Sequence, residues 1–412
     1  LMKIQKILKR LLQLHPKSVD LSLVRIKRLL KDLNNPEKKI TNVIQVVGTN
    51  GKHSCCAALR EIFETAGYTV NMNISPSLKK FNERYYLTGK YISDDNLHDL
   101  LTEVEKINHD QSITFHEFIC ACFFLAASRN KSDVNIIESG LFFRLDASNV
   151  LEKNIASVIM PIGFDHKDFL KEGTIDEIVY EKCAHLLGGS KIVISEQKND
   201  VLEKIKKNIV NNSSEKSIFG ENYNFKKNTK GFFYKDKFGE MNLPLPNLLG
   251  NFQISNVSTA IATARILDQF NITKTHIKKA ITKIRSEGRL QNITQGKLRK
   301  YISKNNQILI DGAHNPLAAS TIIKYLETFD KERKIIMVLG MMANKEHKEF
   351  IQIFKNRIHS IVALDIPNQI NFIEKEKLSK IAQSCGIPSK TENSLEIAFK
   401  NIAKENDNAI IF

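Results

Sequence analysis

No apolar run in this chain approaches the ~18 residues that a membrane-crossing helix needs. Its beginning, Leu1-Met2-Lys3-Ile4-Gln5, starts a basic amphipathic helix rather than a signal peptide. Both absences point away from a membrane and toward the cytoplasm. Cysteine is sparse, with Cys55-Cys56 adjacent, Cys120 and Cys122 alternating within an apolar stretch, and Cys183 and Cys385 alone. None has the spacing of a zinc site, so the six read as small buried hydrophobes. No internal repeat or low-complexity tract is present. A net charge of +16 would suit a polyanionic partner. The lysines, however, are spread over the whole length, without an aromatic-interleaved basic platform or a nucleic-acid motif, and no nucleic-acid partner is expected.

What is present is the composition of a globular protein, 42% hydrophobic and 26% charged over 412 residues. That length suggests two domains. Residues 1–293 alternate apolar runs with helical patterns. Strands are expected at Val70–Ile74, Val134–Glu138, Ala156–Ile162 and Lys191–Ser195, and helices at Asp94–Asn108, Thr114–Arg129 and Ile175–Leu187. This alternation predicts a mostly parallel sheet covered by helices. Residues 217–246 read as small antiparallel strands inserted before a helix that begins near Asn251. A second, smaller α/β domain follows over 294–412, with strands at Gln307–Ile310, Lys334–Leu339, Ile361–Leu364 and Ala409–Phe412. A residue precedes Met2 and the chain stops inside an apolar run, a pattern expected of a sequence clipped at one or both ends.

The most informative stretch is Val46-Val47-Gly48-Thr49-Asn50-Gly51-Lys52-His53-Ser54. An apolar run leads into Gly48, and Cys55 to Ala66 is helical in character. Strand, glycine-rich turn and helix make a phosphate cradle: backbone N–H groups at the helix start, a mobile charge on Lys52 and the hydroxyl of Ser54. The spacing falls short of G-x-x-x-x-G-K-[ST], so an ordinary strand-to-helix turn is the competing reading.

Other chemistry-bearing residues fall at strand ends, where open α/β sheets place ligands. Ser75 after the second strand reads either as a Mg²⁺ ligand or as a simple turn before Pro76. Glu138 ends an apolar strand, which suits Mg²⁺ held by one carboxylate plus phosphate oxygens, or the capping of a loop. Asp165-His166 follows the next strand, where His166 could be a base, a metal ligand or a helix-cap neighbour. Lys182 lies in an amphipathic helix, ordinarily a solvated position. Asp311-Gly312-Ala313-His314-Asn315-Pro316 closes the first strand of the second domain. Arg289, just before the domain junction, suits a phosphate.

Taken in order, these blocks resemble the folylpolyglutamate synthase and dihydrofolate synthase family of the Mur ligase superfamily. The resemblance runs over nearly the whole chain. It rests on Leu14-His15-Pro16-Lys17, Gly48-Thr49-Asn50-Gly51-Lys52, Ser75-Pro76-Ser77-Leu78, Phe81-Asn82-Glu83-Arg84 and Arg144-Leu145-Asp146-Ala147-Ser148-Asn149. It continues through Asp165 to Leu170, Glu181-Lys182, Gln253 with Asn256, Gly288-Arg289-Leu290, Asp311 to Pro316 and Leu339-Gly340-Met341. The fold it implies is a P-loop-containing Mur-ligase-like central domain with a mostly parallel sheet, plus a smaller Rossmann-like C-terminal α/β domain.

The resemblance implies that Ser75, Glu138 and His166 hold Mg²⁺, at two sites in all, and that Lys182 matches a carbamylated lysine. Lys52, Lys182 and His166 would be catalytic. Gly48, Thr49, Asn50, Gly51, Lys52, Ser54, Asn256, Arg289, Asp311 and His314 would contact ATP. Thr114, Phe115, His116, Arg144 and Asp146 would line a pterin pocket. The implied activity is ATP-dependent ligation of L-glutamate to dihydropteroate, to a folate already bearing glutamate, or to both, through an acyl phosphate. The implied partners are those small molecules, with the protein a cytoplasmic monomer whose domains close to complete the site.

The chain departs from that pattern at three places. His53 stands at a glycine position, Phe142-Phe143 stands where the family has Gly-Gly, and Phe252 stands where His commonly precedes Gln253. Glycine there would permit backbone geometry and close approach that Phe would not be expected to tolerate. The competing functions are a peptidoglycan-type Mur ligase and a non-catalytic nucleotide- or nucleic-acid-binding homologue.

Overall fold

The computed structural model describes residues 2–17 and 19–412. They divide into two compact units. The first comprises residues 1–163, 174–247 and 253–285, and the second 164–173, 248–252 and 286–412.

In the first unit, α1 (Met2–Leu11) buries Ile4, Ile7 and Leu11, which recur on one helical face. This is the expected amphipathic helix, although Leu1 lies outside the described residues. The strands are β1 (Val43–Val47), β2 (Val70–Asn73), β3 (Tyr85–Leu87), β4 (Lys90–Tyr91), β5 (Val134–Glu138), β6 (Ala156–Ile159), β7 (Lys191–Ile194) and β8 (Glu215–Ile218). They form one sheet in the order β4-β3-β2-β5-β1-β6-β7-β8. Pairing is parallel from β2 through β8, and antiparallel only at β2–β3 and β3–β4. Every residue of β1 and β5 is buried, as strands covered on both faces require.

The helices expected at Asp94–Asn108 and from Thr114 are found as α4 (Asp94–Asn108) and α5 (Phe115–Arg129), after α2 (Val24–Asp32) and α3 (Lys52–Thr65). Thr114 is the N-cap of α5, its hydroxyl accepting the Glu117 N–H while the Glu117 carboxylate accepts the Thr114 N–H. α6 (Ile175–Cys183) ends one turn before the expected Leu187, and α7 (Asn199–Asn208) follows.

The expected antiparallel insertion is β9 (Tyr223–Lys227), β10 (Gly231–Asp236) and β11 (Gly239–Pro244), in the order β11-β10-β9. Its predicted start was too early, because β8 pairs in parallel with β7 as part of the large sheet. α8 (Asn251–Ile266) begins at the expected residue, followed by α9 (Lys274–Ile281).

The second unit carries β12 (Gln291–Asn292), β13 (Gln307–Ile310), β14 (Ile335–Leu339), β15 (Ser360–Ala363), β16 (Ser389–Thr391) and β17 (Ile410–Ile411). Their order is β12-β13-β17-β14-β15-β16, parallel throughout except at β12–β13. The apolar Ile410-Ile411 is thus an interior strand. With α10 (Pro316–Leu326), α11 (His347–Gln352), α12 (Lys375–Ser384) and α13 (Leu395–Glu405), the unit builds one core around Leu309, Ile335 and Phe350 and another around Ile336, Val362 and Phe399. All six cysteines are buried and free, as expected. Among the described residues no helix is long and apolar enough to cross a membrane.

One buried ion pair ties the small sheet to α8. Arg265 Nε and Nη2 donate to the Asp236 carboxylate at 2.6 and 2.9 Å, with both side chains 7% exposed. Arg265→Ala would leave Asp236 buried and uncompensated, and is expected to destabilise the protein by about 3 kcal/mol. Urea unfolding followed by circular dichroism measures this, and the double variant with Asp236→Ala should recover part of the loss.

Candidate active site

The β1–α3 loop is shaped by two glycines with little room around them. Gly48 has φ +148°, and a Cβ there would lie 2.7 Å from Met160 Cβ and 2.9 Å from its carbonyl oxygen. Gly51 has φ +80°, and a Cβ there would lie 2.5 Å from Asn256 Oδ1. Between them the Thr49 and Asn50 N–H groups donate to the Pro161 carbonyl at 2.9 and 3.2 Å, anchoring the loop beside the end of β6. Lys52 opens α3 and folds its ammonium back onto the carbonyls of Gly48 and Thr49, at 3.1 and 3.3 Å. The first turn of a helix directs N–H groups out of its start, and here that turn is Lys52, His53 and Ser54. Asn256 is buried on α8 and donates to Gln253 Oε1 at 2.9 Å, while Gln253 Nε2 is buried with no hydrogen-bond partner. A bare-backbone loop at a helix start, beside an unused buried donor, fits a nucleotide phosphate.

His53 lies in right-handed helix, so the backbone does not call for glycine there. Phe142 and Phe143 also lack positive φ and are almost wholly buried. The expected intolerance of Phe at these two positions is therefore corrected. The N–H groups of Phe143 and Arg144 donate to the Glu181 carbonyl at 3.1 and 2.8 Å, a turn that non-glycine residues can make. Lys182, on a helical pattern that ordinarily leaves lysine solvated, is instead 3% exposed. Its Nζ donates to Leu141 O at 2.7 Å and Gly48 O at 3.0 Å, and lies 5.3 Å from the Phe142 ring centroid. An ammonium has protons for both carbonyls, whereas a carbamate nitrogen would keep one.

Ser75 and Glu138 are brought together: the Ser75 N–H donates to Glu138 Oε2 at 2.9 Å, and Glu138 is 4% exposed. Among the described residues no group of three or more His, Cys, Asp or Glu side chains could hold a metal. That donor set fits a hard cation completed by phosphate oxygens and water, as Mg²⁺ often is.

A second cluster joins α5 to the loop after β5. His116 Nε2 lies 3.2 Å from Asp146 Oδ2, which also accepts the Gly140 N–H at 3.0 Å, while Asp146 Oδ1 accepts from Ser148. Phe115 packs edge-on against Phe81 at 6.1 Å. Arg144 is engaged by the Glu181 carboxylate at 2.8–3.1 Å.

Within the second unit, Asp165 is a hub. Its carboxylate receives Lys345 Nζ at 2.8 Å, Asn315 Nδ2 at 3.0 Å, His314 Nε2 at 3.2 Å and the His166 N–H at 2.9 Å. Burial opposes its ionisation, but His314, His166 and Lys345 outweigh that and hold the carboxyl far below the usual range. His166 adopts φ +57° with its ring 3.7 Å from the same carboxylate. Asp311 accepts from the N–H groups of Leu290 and Ala313 at 2.6 and 2.7 Å, and burial raises its pKa against the opposing charge of Arg289. The sequence reading missed Lys345. It lies six residues past the end of β14, just before α11, too far from the strand end for the signal that flagged Ser75 and Glu138.

Two family models match, the Mur ligase middle domain over residues 46–264 and the Mur ligase, glutamate ligase domain over 288–412. The chain belongs to the Mur ligase family. Within it, the chain stands on the folylpolyglutamate synthase and dihydrofolate synthase branch. It is 29% identical over 414 residues to a dihydrofolate synthase/folylpolyglutamate synthase of Buchnera aphidicola subsp. Acyrthosiphon pisum, covering 98% of this chain and 94% of that one. The Escherichia coli protein of the same description is 27% identical, over 81% of this chain and 75% of that one. Among solved structures, E. coli FolC in complex with DHPP and ADP matches this Mur ligase with a TM-score of 0.87 at 24% identity, covering 99% and 93%. The Yersinia pestis bifunctional enzyme complexed with AMPPNP and Mn ion matches with a TM-score of 0.85 at 23%, covering 99% and 93%. Those two structures establish the fold.

The His116–Asp146 pair gives a pH signature. Burial lowers the His116 pKa, but the Asp146 charge and hydrogen bond raise it further, so the net shift is upward. Asp146 is lowered: burial alone would raise it, and His116 and Ser148 outweigh that. The stability the pair contributes is therefore complete below the ordinary His value of about 6.5 and lost as pH rises through the raised His116 pKa. At the acid end it is lost as pH falls through the lowered Asp146 pKa. The stability difference between wild type and Asp146→Asn, measured by denaturation at a series of pH values, should shrink as pH rises above neutrality. A difference that is flat with pH would contradict the pairing.

Proposed function

We propose that this Mur ligase joins L-glutamate to dihydropteroate, to the glutamate of a reduced folate, or to both, with ATP converted to ADP and phosphate. The observation that carries this reading is the β1–α3 loop, where Gly48 and Gly51 allow a bare backbone to pack closely against Met160 and Asn256 at a helix start. The near full-length match to a relative named for both activities supports the choice of substrate.

In this reading a carboxylate oxygen of the pterin-linked substrate attacks the γ-phosphorus of ATP, and ADP leaves. The glutamate amine then attacks the acyl-phosphate carbonyl carbon, phosphate departs and the amine gives up a proton to solvent. Both first-step reactants are anionic, so the barrier is one of charge. Lys52 neutralises phosphate charge from the loop it already contacts, and α3 presents its N–H groups to the same oxygens. Asn256 would orient the nucleotide, as would Arg289, Asp311 and His314, with Thr49, Asn50 and Ser54 completing the loop. Mg²⁺, when bound by Ser75, Glu138 and His166, would supply further charge neutralisation. The Thr114, Phe115, His116, Arg144 and Asp146 segments would hold the pterin. Lys182, ammonium or carbamate, braces the Gly48 carbonyl. Residues 1–293 and 294–412 would be the two functional domains of a monomer working in the cytoplasm.

Purified protein should release ADP only when ATP, glutamate and either dihydropteroate or tetrahydrofolate are all present. Lys52→Ala should lower kcat/KM about 100-fold or more. His53→Gly should preserve or improve ATP affinity. No glutamate-dependent ADP release with any pteroate or folate would overturn the reading, and turnover of a UDP-linked muropeptide would replace it with the peptidoglycan branch.

A further inference from the structure

Arg84 ends the short turn Phe81–Arg84 and stands beside the carboxyl end of β2. Its carbonyl accepts the Ile74 N–H and the Asn73 side-chain amide, both at 3.2 Å, which fixes the root of the side chain next to Ser75. The guanidinium lies over the Phe81 ring at 5.1 Å, and Phe81 in turn packs on Phe115. Its Nε is buried with no hydrogen-bond partner, and among the described residues the guanidinium holds no carboxylate. Arg25, Arg144 and Arg265 each do, on Glu117, Glu181 and Asp236. Burial presses the Arg84 pKa downward, with the charge of Glu138 opposing, and Arg84 itself weighs against protonation of His116. It therefore sits within electrostatic reach of both groups.

A part-buried cation with unmade hydrogen bonds is costly to keep unless a ligand completes it. The sheet order says which anion that ligand carries. Along the rim the sequence is β2, β5, β1, so Glu138 at the end of β5 separates Arg84 from the phosphate loop after β1. Two strand spacings are about 10 Å, which leaves the phosphates to Lys52 and puts Arg84 on the His116 and Phe115 side.

We propose that Arg84 receives the carboxylate that the ligase activates. The inference rests on the folate reading above. A planar guanidinium matches a carboxylate bidentately and holds one oxygen while the other attacks phosphorus. When the amine adds to the acyl phosphate, the held oxygen takes on the negative charge, and Arg84 stabilises it until the C–O bond to phosphate breaks.

The test is a ligand cycle: binding of dihydropteroate, and of the same pterin–aniline compound without its carboxyl group, to wild type, Arg84→Gln and Arg84→Lys. Wild type should prefer the carboxylate by about 10- to 100-fold. Arg84→Gln should bring the ratio close to one, Arg84→Lys should restore part of it, and ATP affinity should stay unchanged in both variants. A ratio that Arg84→Gln leaves intact, or an equal loss of both compounds, would overturn the assignment of Arg84 alone. Wild type binding neither pterin compound would overturn the folate reading and this inference with it.

Discussion

The site depends on how closely one loop approaches the end of the neighbouring strand. Gly48 lies against Met160, and Gly51 against Asn256, with no room for a methyl group at either position. That approach lets the Pro161 carbonyl take two consecutive loop N–H groups, and it aims the start of α3 at the sheet's carboxyl edge. It also exposes the Gly48 carbonyl to two lysines at once, Lys52 from α3 and Lys182 from α6. Both cations converge on one loop because its backbone is bare.

Four carboxylates, Glu138 and Asp146 in the first unit and Asp165 and Asp311 in the second, follow a second rule, that each is already held by backbone N–H groups. Glu138 takes the Ser75 N–H, Asp146 those of Gly140 and Ser148, Asp165 that of His166, and Asp311 those of Leu290 and Ala313. Backbone donors fix the carboxylates without neutralising them, which leaves their charge for lysine, imidazole or metal. Arg84 is the converse, a fixed cation with no carboxylate of its own among the described residues.

Strand ends were legible in the sequence because parallel strands buried on both faces write themselves as continuous apolar runs, and the residue after each run is the one at the rim. Gly48, Glu138 and Asp311 were found that way. The short strands Tyr85–Leu87 and Lys90–Tyr91 were not, being too short to show a period. The helical pattern around Lys182 does not by itself show burial, and the resemblance rather than the periodicity singled it out; in the structure its ammonium is held by the Leu141 and Gly48 carbonyls. Phe142-Phe143 stood out as a departure because glycine there would imply a special backbone. The structure instead shows an ordinary turn hydrogen-bonded to the Glu181 carbonyl, with a ring placed near the Lys182 ammonium.

The account stands or falls on the bare backbone at Gly48. Equilibrium titration of ATP against Gly48→Ala tests it, with Gly67→Ala as the control, since Gly67 also has positive φ but nothing within 4 Å of an added Cβ. The account predicts a loss of ATP affinity of about tenfold or more for Gly48→Ala and little change for Gly67→Ala. Equal, wild-type affinity in both variants would contradict it.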